Sequence, residues 1–295
     1  MILFHIIIIT ILVSIIINIC RRNVDFFTQK YQYLIGIIVP IYNRSKIGCI
    51  VLDRLSKCFF YDKTLILLLD DGSTETKIIQ KIRNIKFPNH VTVVTVFQKR
   101  NNNNSYHNIG KNLLKGFDYL IKKKCRYVMN LDDDMLVKPN FMKSILELSH
   151  KINLEKNGGF ITGFLETNNL KKGNIEMYKT YYQLAKKIES KHYIIRAFGG
   201  GCNHFMTNKM YISVYRPSLY RSIKLNVKWD DFIVKNTNLL LKTGNRSGIW
   251  YSPNQGVMQH LGFVGLNSFV WDYDYVASRH DIMIFKELNI KKSHK

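Results

Sequence analysis

The stretch Tyr127-Val-Met-Asn-Leu-Asp-Asp-Asp-Met-Leu-Val-Lys-Pro139 joins an apolar run to three consecutive carboxylates. Its first five residues have the composition of a buried β-strand, and Asp132, Asp133 and Asp134 follow directly. Three anions so close together raise one another's pKa values, and a divalent cation such as Mg²⁺ or Mn²⁺ relieves the repulsion. The carboxyl ends of strands are also where open α/β sheets bind ligands. The stretch therefore predicts a metal site at a strand end or, alternatively, the acidic first turn of a helix.

Upstream of this stretch, apolar runs alternate with amphipathic segments. Residues 34–40, 64–69 and 91–97 are predicted strands, and residues 45–59, 74–84 and 108–124 are predicted helices. This alternation over residues 34–135 is the order that builds a doubly wound, Rossmann-like, mainly parallel sheet flanked by helices. Further elements are predicted downstream: helices from Pro139 to about Leu154, at 175–190 and at 229–241, and strands at 159–165, 248–251 and 256–260.

Residues 1–20 carry no formal charge and are just long enough to cross a bilayer. They lack a small-residue cleavage site, so we predict one uncleaved N-terminal transmembrane helix, followed by a stalk at 21–33. Arg21 and Arg22 lie on the C-terminal flank of this segment, which favours a cytoplasmic rather than a lumenal catalytic domain. Residues 271–295 form a basic tail.

The chain of 295 residues has a formal charge of +23, from 44 basic and 21 acidic residues. Such a surplus suggests anionic partners, or simply a composition rich in Lys, Asn and Ile. No basic stripe interleaved with aromatic residues is present, so we expect no nucleic-acid partner. The five cysteines are scattered and odd in number, which favours neither a disulfide framework nor a zinc site.

Four short motifs occur in the order and spacing of family 2 glycosyltransferases: Ile38-Val-Pro-Ile-Tyr-Asn-Arg44, Asp70-Asp71-Gly72-Ser73-Thr74, Asn108-Ile-Gly-Lys111 and Leu131-Asp-Asp-Asp134. Over roughly residues 34–265 the chain therefore resembles the nucleotide-sugar-dependent enzymes of the GT-A fold. The resemblance implies a glycosyltransferase domain over residues 34–270. Its nucleotide-binding half would be residues 34–135, and its acceptor half residues 136–270.

The resemblance implies that the first two motifs bind the nucleoside of a nucleotide-diphosphate sugar. Tyr42 would lie against the base, and Asp71, or alternatively Asp70, would accept a hydrogen bond from a pyrimidine N–H. The residues implied in wrapping the nucleoside are Pro40, Tyr42, Asn43 and Arg44.

The other two motifs are implied to hold the diphosphate. Asn108, Gly110 and Lys111 would start a helix beside the nucleotide, since helix N-termini attract phosphate. Asp132 and Asp134 would hold a divalent cation, Mn²⁺ or Mg²⁺, while Asp133 would hold the ribose or cap the turn.

In the acceptor half, the glycine run Gly199, Gly200 and Gly201 resembles the segment under the donor sugar and acceptor. Trp229-Asp230-Asp231 occupies the place of a Glu-Asp pair whose second acid is the general base. Asp231 is therefore the predicted base and Asp230 the alternative. His260 would be a third metal ligand or a structural residue. The Gln-x-x-Arg-Trp motif of processive synthases is absent, which argues against a polymer-extruding enzyme.

These features together predict a membrane-anchored inverting glycosyltransferase. It would move a sugar from a nucleotide sugar to a hydroxyl of a glycan, protein or lipid acceptor. A polyprenyl-phosphate glycosyltransferase at the membrane surface is the nearest alternative. A catalytically silent binding module of the same fold is another, against which the intact carboxylates argue.

Overall fold

The computed structural model describes residues 31–99, 105–163, 193–196, 203–253 and 256–261. The predicted anchor, nearly all of the stalk, the helix at 175–190, the glycine run Gly199–Gly201 and the basic tail lie outside the described residues. In the part that is described, no helix is both long and apolar enough to cross a membrane.

The first half of the chain is the predicted strand–helix alternation. Its strands are β1 (Tyr33–Ile41), β2 (Thr64–Asp70), β3 (Val91–Phe97) and β4 (Cys125–Leu131). They pair in parallel in the order β3-β2-β1-β4. Every residue of β2 is buried, because helices cover both faces of the sheet, and the five residues between Thr64 and Asp70 are all apolar.

The helices of this half are α1 (Ser45–Ser56), α2 (Thr76–Asn84) and α3 (Ser105–Lys122). Successive strand residues point to opposite faces, so Ile37 joins the core under α1 and α2, while Ile38 joins the core under α3. Helix α3 lies close to β1: a Cβ on Gly36 would be only 2.8 Å from Leu120. The two cores give the sheet the rigidity that a site at its edge requires.

The strands of the second half are β5 (Met135–Val137), β6 (Phe160–Ile161), β7 (Tyr193–Arg196), β8 (Asn203–Thr207), β9 (Trp250–Pro253) and β10 (Met258–His260). Four of them extend the same sheet in the order β4-β8-β6-β9-β7, with β8 antiparallel to β4. The other two, β5 and β10, pair in a separate two-stranded sheet.

The helices of the second half are α4 (Phe141–Lys151), α5 (Leu154–Asn157), α6 (Asn208–Met210), α7 (Arg216–Leu225) and α8 (Trp229–Lys242). A π-helical segment, Tyr211–Tyr215, connects α6 to α7, and a 3₁₀ turn, Arg246–Gly248, precedes β9. The whole is a mixed, mostly parallel sheet flanked by helices, which is consistent with the GT-A fold.

Three predicted elements differ from the structure. The acids Asp132–Asp134 do not open a helix: Met135 N–H donates to Asp132 O (3.1 Å) in a reverse turn, and β5 follows. The strand predicted at 159–165 is described only as β6, two residues long. Helix α3 is described from Ser105, three residues before the predicted start.

Candidate active site

The site lies at the carboxyl edge of β1, β2 and β4, where three loops meet. Strand β1 is between the other two, and the end of β1 at Ile41 is in register with Asp70 at the end of β2. Strands β2 and β3 lie on one side of β1 and β4 lies on the other, so the strand order reverses beside β1. Open α/β sheets bind their ligands at such a point.

The loop after β1 is held to the loop after β2 by Asn43. The side-chain Oδ1 of Asn43 accepts hydrogen bonds from the N–H groups of Thr74 (2.8 Å) and Glu75 (3.2 Å), and its own N–H donates to Ser73 Oγ (2.8 Å). Asn43 and Arg44 both adopt left-handed backbone angles, with φ of 51° and 55°. The amide oxygen of Asn43 therefore joins the two loops in this structure.

Glu75 stabilises the same junction and was not singled out by the sequence. Its carboxylate accepts hydrogen bonds from the N–H groups of Arg44 (3.1 Å) and Ser45 (2.7 Å). Ser45 is the first residue of α1. Hydrogen bonds from Ser45, and then from Arg44, lower the pKa of Glu75. A carboxylate 30 residues away along the chain from Ser45 thus caps the helix, where no local side chain does.

Arg44 is the counter-ion of the acid cluster. Its Nη1 donates to Asp134 Oδ2 (2.6 Å) and its Nη2 to Asp133 Oδ1. The two carboxylate side chains are 7% and 2% exposed, whereas the arginine side chain is 32% exposed. Burial alone would lower the pKa of Arg44, but Asp133 and Asp134 outweigh burial and raise it. The Tyr42 N–H also donates to Asp133 Oδ2 (3.3 Å).

In spite of Arg44, the negative charges of the acids are disfavoured by burial and by repulsion from one another. Burial, followed by repulsion from Asp134 and Asp133, raises the pKa of Asp132 well above its usual range. Burial likewise raises the pKa of Asp133 to about 7, against the opposing effect of Arg44. Carboxylates with pKa values shifted in this way, at the ligand-binding edge of a sheet, are typical of a functional site.

The residues fit a divalent cation in charge and in donor chemistry. Three carboxylates facing one guanidinium leave a formal charge of −2, and carboxylate oxygens are the donors that Mg²⁺ and Mn²⁺ prefer. Within the described ranges, however, no group of three acidic, histidine or cysteine side chains is already arranged around one point as a metal site. A cation held by Asp132 and Asp134 would have to share Asp134 with Arg44.

The backbone around His260 runs beside these acids. His260 pairs with Met135 in the two-stranded sheet, and the N–H of Leu261 donates to Asp134 O (2.7 Å). The prediction that His260 is a third ligand concerns its side chain, which lies outside the described part, and it stays a prediction.

Asp70, the last residue of β2, and Asp71, which follows it, have different environments. Asp70 Oδ2 accepts from the N–H groups of Gly72 and Ser73 (3.1 Å each), while its Oδ1 is buried and has no hydrogen-bond partner among the described residues. Asp71 is also buried, and its N–H donates to Ile41 O (2.8 Å). Asp70 therefore shapes the turn, and both carboxylates lie at the edge where a nucleoside is predicted.

The motif Asn108-Ile-Gly-Lys111 lies within α3, which is described from Ser105 onwards. Asn108 is buried and Lys111 is exposed, while a Cβ on Gly110 would lie 3.3 Å from Ile223. The three residues therefore lie inside the described helix rather than at its first residue, and their place beside a nucleotide stays a prediction.

Helix α8 begins with Trp229, and its first turn presents Asp230 and Asp231 in different ways. Trp229 is buried. The Oδ1 of Asp230 is buried without a hydrogen-bond partner in the described ranges, and burial raises the pKa of this carboxyl. Asp231 is exposed, so its carboxylate is open to an incoming molecule. The two neighbours diverge, as adjacent residues in a helix must.

Sequence reasoning missed a group of buried polar residues behind the acids: Asn130 on β4 and His204 on β8, with Tyr215 at the end of the π-helical segment. The available signal was a polar residue in the middle of an otherwise apolar strand, as in Val-Met-Asn-Leu and Asn-His-Phe-Met. A buried polar side chain must find a partner, so such a residue marks a specific contact.

A parallel half-sheet that ends in acidic loops, extended by antiparallel strands, is consistent with the GT-A fold. The family model for glycosyl transferase family 2 matches residues 36–212, more than half of the chain, and the chain belongs to this family. The protein is thus a glycosyltransferase. No curated protein sequence matches the chain.

Among solved structures, the crystal structure of S. aureus TarS is similar to this chain, with a TM-score of 0.47 and 14% sequence identity. The similarity covers 76% of this chain but only 36% of that one. The chain therefore spans little more than a third of that protein, and a likeness of this size supports no statement about activity.

Proposed function

We propose that the chain transfers a sugar from a nucleotide-diphosphate sugar to an acceptor hydroxyl, with inversion at the anomeric carbon. The observation that carries this proposal is the cluster of Asp132, Asp133 and Asp134, electrostatically strained at the carboxyl edge beside Arg44. Family membership supports glycosyl transfer in general. The domain boundaries that we propose are those given by the sequence, 34–135 for the donor half and 136–270 for the acceptor half.

The donor nucleoside is proposed to lie between the loops after β1 and β2. Tyr42 is exposed there, so a base can reach its ring. Asp71 and Asp70 are the candidates for a base N–H, and Asp133 for the ribose. Arg44 has a second role open to it, because a guanidinium that now faces two carboxylates can equally face phosphate oxygens.

The diphosphate is proposed to lie against Asp132 and Asp134 through a divalent cation. When bound, the cation would offset negative charge on the leaving diphosphate. Asp132 is the carboxylate that Arg44 does not contact in the described hydrogen bonds. Burial and the neighbouring acids raise its pKa, and a bound cation would oppose that shift. His260 is the candidate third ligand.

The acceptor is proposed to enter on the side of α8. Asp231 is our candidate general base, since its exposed carboxylate can meet an acceptor hydroxyl and accept its proton as the oxygen attacks the anomeric carbon. Asp230 is the alternative, and its buried, unpartnered oxygen suits a supporting role beside the base. Gly199–Gly201 would pass beneath the donor sugar.

We further propose that residues 1–20 anchor the enzyme in a membrane, with its catalytic domain on the cytoplasmic side. Support comes from the uncharged length of this segment and from the arginines that follow it. A membrane-bound enzyme can take a lipid acceptor as well as a glycan or protein, and a lipid phosphate would need no strong base. Loss of Asp231 would then have little effect on transfer.

A donor screen tests the proposal directly. The full-length chain is incubated with a panel of nucleotide sugars and Mn²⁺, and the slow release of nucleoside diphosphate in the absence of acceptor is measured. We expect hydrolysis of one donor, and its loss in Asp134→Asn. The matched control is Glu155→Gln. It also removes a carboxylate that accepts a hydrogen bond from an arginine, Arg126, but this pair is not part of the proposed site, so the variant should retain hydrolysis. No release from any donor would contradict the proposed function.

A further inference from the structure

Behind the acid cluster lies a buried hydrogen bond that the proposed mechanism does not use. It joins His204 Nδ1 to Tyr215 Oη at 2.8 Å, and the two residues are 1% and 0% exposed. Burial, and then the charges of Asp132 and Asp230 among others, raise the pKa of Tyr215, so its hydroxyl keeps its proton. A polar pair inside an aromatic core is unfavourable unless its hydrogen bond is made.

On the donor side, the pair is connected to Asp132 through Asn130. His204 lies opposite Asn130 across the β4–β8 pairing, and its N–H donates to Asn130 Oδ1 (2.9 Å). The side-chain amide of Asn130 in turn donates to Asp132 Oδ1 (3.3 Å). Asn203 fixes the same strand, since its side-chain amide donates to Asn130 O (2.8 Å). The orientation of Asp132 thus depends on the position of β8.

On the acceptor side, the His204 ring holds the start of α8. It packs edge-to-face against Trp229, with ring centroids 5.6 Å apart, and against Trp250, with centroids 4.7 Å apart. Trp229 directly precedes Asp230, and the Trp250 Nε1–H donates to Thr237 Oγ1 (3.2 Å) two turns further along α8. The helix that carries the candidate base therefore rests on the same imidazole at its first residue.

The backbone at Tyr215 supports a specific role for the pair. Tyr215 ends the π-helical segment Tyr211–Tyr215, and π turns are rare and occur frequently at functional sites. The segment also contains Tyr211, which is equally buried and donates to Asp118 Oδ1 (2.7 Å) on α3. The same turn therefore offers one tyrosine hydroxyl directed to the site and one directed away from it.

We propose that His204 and Tyr215 are positioning residues, which fix Trp229 and the acids that follow it relative to Asp132. The donor-side acid and the acceptor-side base would then keep the mutual placement that in-line transfer needs. This inference rests on the proposed function. Misplacement of reacting groups by about 1 Å can lower a rate by up to about 10².

The test compares Tyr215→Phe with Tyr211→Phe in the full-length chain. Each variant removes one buried phenol hydroxyl from the same turn, so each should lower the melting temperature by a similar amount. We expect Tyr215→Phe to lower kcat for transfer roughly tenfold, with the KM for the donor within about twofold of wild type. Tyr211→Phe should keep kcat. Equal losses of kcat in the two variants would overturn the inference.

Hydrogen–deuterium exchange gives a second readout that does not depend on activity. Amides in the first two turns of α8 should exchange faster in Tyr215→Phe than in wild type, and should be unchanged in Tyr211→Phe. Unchanged exchange of α8 in Tyr215→Phe would overturn the inference even if the enzyme were active. Faster exchange in a protein that hydrolyses no donor would instead support the positioning contact and contradict the proposed function.

Discussion

Replacing Arg44 with methionine should destabilise the protein and also strengthen its response to Mn²⁺. The guanidinium donates one hydrogen bond to each of two carboxylates that are almost fully buried. Methionine keeps much of the apolar volume of the side chain but removes the charge. Asp133 and Asp134 would then face each other, and Asp132, without the guanidinium between them.

The expected magnitude follows from the burial of the pair. Removing one partner of a fully buried ion pair costs about 3–5 kcal/mol. The Arg44 side chain is 32% exposed, so solvent screens part of the interaction, and we expect a loss of about 2–3 kcal/mol. In a domain of this size that corresponds to a drop of roughly 4–12 °C in melting temperature.

The assay is thermal unfolding of the full-length protein in a chelator, repeated with excess Mn²⁺. Arg216→Met is the control, because Arg216 also donates two hydrogen bonds to one partner, Asp118, but both side chains are well exposed, at 48% and 39%. That variant should lose about 1 kcal/mol or less. Mn²⁺ should raise the melting temperature of Arg44→Met more than that of wild type, because the competing guanidinium is gone.

One result would contradict the stabilising role of Arg44. If Arg44→Met melts at or above the wild-type temperature in the chelator, the guanidinium does not stabilise the acid cluster. If Mn²⁺ changes neither protein, the carboxylates do not bind a cation, whatever Arg44 contributes.

Three further predictions concern the site and its supporting loop. Asp134→Asn should lose donor binding together with turnover. A chelator should abolish wild-type activity until Mn²⁺ or Mg²⁺ is restored. Full activity in the chelator would remove the metal from the mechanism. Asp231→Asn should lower kcat by roughly 10² with donor affinity nearly unchanged, and Asp230→Asn should lower it less, as steady-state kinetics would show; the reverse order would make Asp230 the base. Glu75→Gln should cost about 1 kcal/mol at pH 7. Because the folded-state pKa of Glu75 is lowered, its contribution is present above the unfolded pKa of about 4.3 and is lost as the pH falls through the folded pKa. Denaturation should therefore give a larger difference between Glu75→Gln and wild type at pH 7 than at pH 3, and an equal difference at both would contradict the capping role.

The part of the fold that follows from local pattern could be predicted from the sequence. Strands β1 to β4 are mainly apolar or β-branched runs bounded by polar turns, so their existence, order and parallel pairing followed from composition and alternation. The placement of the acids at the end of β4 followed in the same way. The short strand β5 did not, because three apolar residues between a turn and Pro139 give no periodicity that distinguishes strand from loop.

The contacts inside the site could not be predicted, because they join residues far apart in the chain. Nothing in the loop after β1 indicates that Arg44 faces acids 90 residues later, or that Asn43 holds the loop after β2. Glu75 was missed for the same reason: it is unremarkable among its sequence neighbours and acquires its role only from a distant partner. The different exposure of Asp230 and Asp231 likewise depends on where α8 packs.

The antiparallel pairing of β8 with β4 has a consequence for how the protein folds. It joins His204 to Asn130 across 74 residues, and the Arg44 ion pair spans 90. Contacts of such long sequence separation require large loops to close first, and proteins dominated by them fold slowly. The Arg44 ion pair joins the ends of β1 and β4, so it can form only when these two strands have come together. Divalent cations added during refolding should then accelerate the step that brings Asp132–Asp134 to this edge.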